Sequence, residues 1–297
     1  MIINNRSNEH LVKALKKMHR FVESPDVGKV RSHQENISGF FSNKELKYTS
    51  VKSGDIYAEW ISVVNDPRED YVILYCHGGG YNTGSFRYAR SITNKLAEVT
   101  SMKVLSFDYR LAPEHPYPCA LEDALEMWHY IENLGYDGKN IIIAGDSAGG
   151  NLALSLTLKL KETGAQLPKG IVLFSPWTDL TLEGVSHYER AEMDPILTEE
   201  YLKKAVEDYA GSEDVNNPFI SPLFGDFEGF PPVCIQVGDH EVLLSDSEEL
   251  CSCMQACNVN VKFELYEGMW HVFQMSTLKI ALEAMSNAGN FISEICR

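Results

Sequence analysis

A single serine lies between glycines in the segment Gly145–Gly150, which reads Gly-Asp-Ser-Ala-Gly-Gly. The run before it, Ile141–Ala144, is apolar and β-branched, which is typical of a buried parallel strand, and residues 151–156 have the periodicity of a helix. Because glycine permits a turn too tight for side chains, this spacing predicts a sharp turn that exposes the hydroxyl of Ser147 as a nucleophile. The N–H of Ala148 would point to the same place, at a helix N-terminus that favours negative charge.

A second glycine-rich segment, His77–Gly80, follows the predicted strand Tyr71–Cys76. Ordering three consecutive glycines costs conformational entropy, and a turn needs only one or two of them. Bare backbone N–H groups close to a ligand explain the run better. In the strand–turn–helix plan of Ser147, such a loop supplies the further donors of an oxyanion hole.

A serine hydroxyl becomes a good nucleophile when a histidine, oriented by a carboxylate, accepts its proton. Of the nine histidines, His271 fits best, because it follows the predicted strand Val259–Tyr266 across a short loop at the sheet edge. His240 is a weaker alternative, since it lies where the acid is expected. The histidines in other settings are expected to be structural or surface residues: His77, His129 and His187.

The carboxylate should lie between the serine and the histidine in chain order, after the strand that precedes that of the histidine. That strand is Val233–Val237, and the loop after it carries two carboxylates, Asp239 and Glu241. The residue types alone allow either of them to orient the histidine.

The elements that position these residues alternate between strand and helix from residue 71 onward, which predicts a mostly parallel sheet with helices on both faces. Two earlier runs are predicted to form an antiparallel hairpin at a sheet edge. The predicted strands are Lys47–Val51, Ile56–Val64, Tyr71–Cys76, Lys103–Phe107, Asn140–Ala144, Gly170–Phe174, Val233–Val237 and Val259–Tyr266. The main predicted helices are Arg87–Val99, Ala120–Leu134, 148–163, Glu199–Tyr209, Asp246–Ala256 and Thr277–Ile295.

Two segments depart from this alternation. Residues 7–22 have an apolar helical face, and a polar stretch with Pro25, Gly28 and Gly39 follows, in which no element is predicted. Between Trp177 and Pro218 acidic loops surround one predicted helix, which indicates an insertion.

Composition limits the function classes. The formal net charge of −16 over 297 residues opposes binding to nucleic acid or to an anionic membrane. No apolar run reaches the roughly 18 residues of a membrane span, and the N-terminus lacks a signal pattern. Seven cysteines, an odd number, do not suggest a disulfide framework. We therefore expect a cytoplasmic protein.

Four segments together resemble the hormone-sensitive-lipase family of α/β-hydrolases, in particular its bacterial carboxylesterases, from about residue 45 to the end. They are His77–Gly80, Asp108–Pro118, Gly145–Gly150 and Gly268–Phe273. Cys119 stands where the family more often has alanine.

The resemblance implies an eight-stranded, mostly parallel sheet with a helical cap over Ser147. The core would comprise residues 46–176 and 219–297, and the cap residues 1–45 and the insertion 177–218. The resemblance also implies oxyanion donors from Gly79, Gly80 and Ala148. Three further residues would support the glycine loop: Asp108, Arg110 and Glu114.

The resemblance favours Glu241 over Asp239, because the family's acid is followed by one residue and then leucine, as in Glu241-Val242-Leu243.

The resemblance implies a serine carboxylesterase acting on small short-chain esters, roughly acetyl to hexanoyl. Tyr81 would be a bulky wall of the pocket, and no cofactor or metal would be needed. An amidase with the same triad is the nearer alternative. The other is a receptor of the same fold, although such receptors lack the catalytic histidine. A homodimer through the edge strand 259–266 is also expected.

Overall fold

The structure is a computed structural model that describes residues 26–297, so the helix predicted over residues 7–22 lies outside it. The strands form one sheet in the order β1-β2-β4-β3-β5-β6-β7-β8. They are β1 (Leu46–Ser53), β2 (Ile56–Val63), β3 (Arg68–Cys76), β4 (Met102–Phe107), β5 (Ile141–Asp146), β6 (Gly170–Phe174), β7 (Val233–Gly238) and β8 (Val261–Tyr266).

The sheet confirms the predicted topology. β2 pairs antiparallel with both β1 and β4, and every other pair of neighbouring strands is parallel. The hairpin lies at one edge and β8 at the other, as expected. The carboxyl ends of the parallel strands therefore meet at one edge of the sheet.

Helices cover both faces of the sheet, which confirms the layered architecture. One face packs on α3, α4 and α7, and the other on α2 and α8. The α-helices of the described chain are α1 (Val27–Ser38), α2 (Arg90–Thr100), α3 (Cys119–Asn133), α4 (Ala148–Glu162), α5 (Val185–Glu189), α6 (Glu199–Ala210), α7 (Leu244–Ala256) and α8 (Lys279–Ile295).

Helix α1 lies in the polar stretch where no element is predicted from the sequence. Its buried residues are Val30, Gln34 and Ser38, so it lacks the broad apolar face that marks an amphipathic helix. Polar contacts hold it instead: Arg31 donates to the carbonyl of Asn82 at 2.8 Å, and Gln34 accepts from the N–H of Gly84 at 2.9 Å. A hydrophobic pattern does not reveal a helix that is held in this way.

Residues 177–218, the inserted segment, carry α5 and α6. One side chain holds the chain at the start of this segment and two residues past its end: the amide of Asn151 donates to the carbonyls of Trp177 at 2.9 Å and Ile220 at 2.8 Å. Its oxygen accepts from the hydroxyl of Tyr81 at 2.7 Å. Asn151 lies on α4 one turn after Ser147, so the inserted segment is tied to the helix that follows the sharp turn.

We predict that Asn151→Ala lowers the free energy of unfolding by about 3 kcal/mol or more. A buried polar group left without its partner costs about 1–3 kcal/mol, and this substitution removes the partner of three: the carbonyls of Trp177 and Ile220 and the hydroxyl of Tyr81. The matched control is Asn140→Ala, which removes a solvent-exposed bond to the carbonyl of Asp70 and should cost less than about 0.5 kcal/mol. Denaturant unfolding followed by fluorescence measures both. Equal losses for the two variants would contradict this role of Asn151.

Candidate active site

The turn between β5 and α4 consists of Ser147 alone, with φ of 54° and ψ of −124°. This backbone region is rarely occupied by residues other than glycine. The flanking glycines are sterically required: a Cβ on Gly145 would lie 2.2 Å from the carbonyl oxygen of Gly149, and one on Gly149 would lie 2.1 Å from that of Cys76. The predicted strand–turn–helix is therefore present.

Ser147, His271 and Glu241 lie in one buried line of hydrogen bonds. The Oγ of Ser147 is 2.9 Å from Nε2 of His271, and Nδ1 of His271 is 2.9 Å from Oε2 of Glu241. With the Nδ1–H directed at the carboxylate, Nε2 is free to accept the serine proton. The three residues follow β5, β7 and β8, whose carboxyl ends meet at one edge of the sheet.

Asp239, the alternative acid, has a different partner. Its Oδ1 accepts from the N–H of Gly268 at 2.6 Å, which joins the loop after β7 to the loop that carries His271. The ring of His240 is partly exposed and lies 3.8 Å from Asp239. Of the two carboxylates in this loop, the structure brings Glu241 to the histidine.

Ser175, which the sequence did not reveal as a site residue, contacts both Glu241 and the residue that follows His271. Its hydroxyl donates to Oε1 of Glu241 at 2.9 Å and accepts from the N–H of Val272 at 3.0 Å. The N–H of Gly238 donates to the same carboxylate oxygen at 2.6 Å. Ser175 is the first residue after β6, which lies between β5 and β7, so its place at the end of a predicted strand was a usable signal.

The segment after His271 is strained and held from two sides. Val272 is β-branched and has φ of 50°, a conformation that such residues rarely adopt. Ser175 holds its N–H, and the ammonium of Lys95 donates to the carbonyls of Gln274 and Ser276 at 2.5 and 2.6 Å. These contacts fix the backbone that carries the histidine.

Burial lowers the pKa of His271, but the hydrogen bond and charge of Glu241, with the charges of Asp194 and Asp146, outweigh burial and leave the pKa above the usual 6.5. Asp194 belongs to the inserted segment and accepts from the N–H of Val242, next to Glu241, at 2.9 Å. Burial raises the pKa of Asp194 itself to about 6. The site is therefore built to stabilise a positively charged imidazole.

The glycine loop lies beside the serine turn. The N–H of Gly78 donates to Oδ1 of Asp146, the residue before Ser147, at 2.9 Å. Among residues 26–297, the N–H groups of Gly79 and Gly80 have no protein acceptor. Ala148 is the first residue of α4, so its N–H lacks a partner in a preceding turn. Three backbone donors thus remain available for an anion.

The supports of this loop differ in part from expectation. Asp108 accepts from the N–H of Phe86 at 2.8 Å, and Glu114 binds Arg31 of α1, which holds Asn82 just past the glycines. In the described chain no hydrogen bond or ion pair joins Arg110 to the glycine loop; its guanidinium binds Asp123 and Glu122 of α3. The expectation for Arg110 was wrong, because its guanidinium is paired with two carboxylates of a neighbouring helix.

Three kinds of comparison find proteins similar to this chain. A family model described as alpha/beta hydrolase fold matches residues 73–275. The chain is 38% identical to an esterase of Acinetobacter venetianus over 228 residues, 75% of each chain, and 36% identical to an acetyl-hydrolase of Streptomyces hygroscopicus, covering 82% of this chain and 81% of that one. Among solved structures, an esterase of the bacterial hormone-sensitive lipase family superposes with a TM-score of 0.93 at 30% identity over all of both chains. A hormone-sensitive lipase from a metagenome library gives a TM-score of 0.92 at 34% identity over 98% of each chain.

The geometry predicts which carboxylate sets the charge state of His271. Glu241→Gln removes the anion bonded to Nδ1, so the pKa of His271 should fall below its wild-type value. Asp239→Asn, which alters a carboxylate bonded to Gly268, should leave that pKa unchanged. Titration of the His271 ring by nitrogen-15 NMR measures both. A larger fall in the Asp239 variant would reverse the assignment of the acid.

Proposed function

This chain belongs to the hormone-sensitive-lipase family of α/β hydrolases and is a carboxylic ester hydrolase, and we propose that Ser147 is its nucleophile, His271 its base and Glu241 the acid that orients the histidine. One observation carries the proposal. Ser147, His271 and Glu241 are joined by two hydrogen bonds of 2.9 Å within a buried site, in the chain order of a serine hydrolase.

Acylation begins when Oγ of Ser147 attacks the carbonyl carbon of the ester and its proton passes to Nε2 of His271. The imidazolium is stabilised by Glu241. The negative charge that develops on the carbonyl oxygen is received by the N–H groups of Gly79, Gly80 and Ala148. The C–O bond to the alcohol then breaks, the Nε2 proton goes to the departing alcohol, and the acyl group stays on the serine.

Deacylation repeats these steps with water as the nucleophile. His271 takes a proton from water, the hydroxide oxygen bonds to the acyl carbon, and the same donors receive the negative charge. The bond to the serine oxygen breaks, the proton returns to that oxygen, and a carboxylic acid leaves. Every step is a proton or acyl transfer that these side chains perform themselves, so the mechanism uses no metal or cofactor.

The position of His271 favours catalysis over a receptor role, because the receptor hypothesis requires that the base be missing. The N–H groups of Gly79 and Gly80 support the same conclusion, since they are left without a protein acceptor in the described chain beside a base already bonded to a serine. Binding a neutral ligand requires neither feature.

The substrates that we propose are small esters with short acyl chains. A relative 36% identical to this chain is named an acetyl-hydrolase. Tyr81 supports an enclosed pocket, since it is buried beside the glycine loop and its ring stacks on Tyr209 at 3.6 Å. Residues 1–45 and 177–218 are proposed as the cap above this pocket.

A homodimer through β8 and a cytoplasmic location stay predictions. β8 forms one edge of the sheet and is only partly buried along its length, so its outer side could pair with a second copy. Within residues 26–297, none of the helices combines the length and the apolar character that crossing a bilayer requires.

The proposal predicts that the protein hydrolyses p-nitrophenyl esters from acetate to hexanoate, with butyrate faster than palmitate. Ser147→Ala, the matched variant, should lose activity by a factor on the order of 10⁶, because triad members act as a unit. Release of nitrophenolate measures both. More than a few per cent of activity in Ser147→Ala would refute the mechanism, and a preference for palmitate would refute the short-chain assignment. Matched p-nitroanilides distinguish ester from amide hydrolysis.

A second prediction concerns the acid. Glu241→Gln should lower kcat by orders of magnitude, up to about 10⁴-fold, because the histidine loses the partner that fixes its tautomer and stabilises its cation. Asp239→Asn should be much milder, since Asp239 bonds the backbone of Gly268. Steady-state kinetics on one short ester decides between them. The reverse ranking would move the role of acid to Asp239.

A further inference from the structure

One face of helix α6, in the inserted segment, packs against the end of the glycine loop. The residues that it contacts are Gly80, a proposed oxyanion donor, and the two residues after it. Three of its residues, Tyr201, Asp208 and Tyr209, contact the consecutive loop residues 80, 81 and 82. Positions 201, 208 and 209 are spaced i, i+7 and i+8, which places them on the same side of a helix.

At the first contact, the backbone of Gly80 lies against the helix. A Cβ on Gly80 would be 2.6 Å from the hydroxyl oxygen of Tyr201 and 3.3 Å from the Cβ of Ala205, so a larger residue would displace the Tyr201 side chain and press on the helix at Ala205. The bare glycine is thus explained by the close approach of α6 as well as by its φ of 60°.

At the second contact, the ring of Tyr81 stacks on that of Tyr209 with centroids 3.6 Å apart and planes at 1°. Tyr81 has φ of 62°, an unusual conformation for a bulky residue. The hydroxyl of Tyr81 donates to Asn151, and its carbonyl accepts from the N–H of Ala112 at 2.9 Å. Both the ring and the backbone of this strained residue are therefore held.

At the third contact, the amide of Asn82 donates to Oδ2 of the buried Asp208 at 3.2 Å. Lys204 donates to the other oxygen of Asp208 at 2.6 Å, which pairs its charge. The N–H of Asn82 closes the loop by donating to the carbonyl of Gly79 at 3.2 Å. Asn82 therefore connects Asp208 of α6 to the backbone of the glycine loop through two hydrogen bonds.

These contacts bear on catalysis because glycines alone do not fix one conformation and the next residue is strained. Gly79 and Gly80 have φ of 120° and 60°, which glycine adopts freely among others, whereas Tyr81 has φ of 62°, which a bulky residue does not favour. Such a residue keeps this backbone only when the surroundings over-determine it. The direction of each N–H is fixed by these dihedral angles, so whatever holds the dihedrals also aims the donors.

We propose that α6 holds the oxyanion loop in its catalytic conformation, and that Tyr209 and Asp208 are positioning residues for ester hydrolysis. The inference rests on the proposed function, since it assigns to Gly79 and Gly80 the binding of the oxyanion. It gives the cap a part in the chemical step in addition to enclosing the substrate.

The inference predicts that disturbing these contacts lowers kcat and leaves KM unchanged. The oxyanion exists in the transition state and not in the bound ester, so a misaimed donor weakens transition-state binding while leaving substrate binding intact. Loss of a single oxyanion donor can cost about 10²–10³ in kcat, and a displaced donor should cost part of that, roughly tenfold or more.

The test compares Tyr209→Leu and Asp208→Ala with two controls on the same helix. Tyr209→Phe keeps the stacked ring, and Lys203→Ala removes a residue whose ion pair with Glu199 is solvent-exposed on both sides. For each variant, kcat and KM are measured on p-nitrophenyl butyrate. The inhibition constants are also measured for a trifluoromethyl ketone, which forms an oxyanion on Ser147, and for butyl p-nitrophenyl ether, a neutral analogue that has no carbonyl group and forms no oxyanion.

We expect Tyr209→Leu and Asp208→Ala to lose roughly tenfold or more in kcat with KM within about twofold. Both should bind the ketone weaker by a similar factor, while binding of the ether is unchanged. Both controls should match the wild type. Circular dichroism and thermal unfolding show which variants remain folded, and either loop-facing variant alone suffices for the test. A raised KM with kcat and ketone binding intact would overturn the inference, because the helix would then shape the substrate pocket only. Failure of the wild type to hydrolyse any ester would instead refute the proposed function.

Discussion

The buried carboxylate of Glu241 is the group on which the arrangement of the site depends. A charge taken out of water is costly unless donors replace its hydration. Glu241 is 0% exposed and accepts hydrogen bonds from His271, from Ser175 and from the N–H of Gly238. These donors come from the ends of three adjacent strands, β6, β7 and β8, so the sheet order is what makes the charge tolerable. The same bonds fix the histidine toward Ser147.

Strained backbone occurs around this carboxylate and around the glycine loop. Of the eight residues other than glycine that have positive φ in the described chain, four lie in or beside the site: Tyr81, Ser147, Ser175 and Val272. Each occupies the end of a strand or the loop after it, where the rigid sheet on one side and hydrogen bonds on the other hold the conformation. Within the site, the strained residues are thus at positions where a side chain or N–H must point in one direction.

The sequence predicted the sheet and the serine turn because their signals are local. Buried parallel strands such as Ile141–Asp146 have continuous apolar runs, and the steric demand of the turn shows directly in Gly145 and Gly149. The choice between Asp239 and Glu241 is not local: both carboxylates occupy one loop, and the resemblance of the chain to a family was needed to prefer Glu241.

The features that the sequence did not reveal depend on contacts between distant segments. Ser175 acts through loops that follow two other strands, and α1 is held by polar bonds with almost no apolar face. Arg110 was assigned to the wrong neighbour because its partners are set by how α3 packs. The face of α6 that meets the glycine loop is aromatic and acidic, a composition that by itself suits a surface helix as well.

The central claim, that Ser147 is the nucleophile of a buried triad, is tested most directly by locating the covalent bond that the enzyme forms. The folded protein is treated with a p-nitrophenyl alkylphosphonate, which traps activated serines, and the modified peptide is identified by mass spectrometry after digestion. The account predicts one adduct per chain, on Ser147, formed with release of one nitrophenolate. An adduct on another residue, such as Ser175, or release of nitrophenolate with no stable adduct, would contradict it.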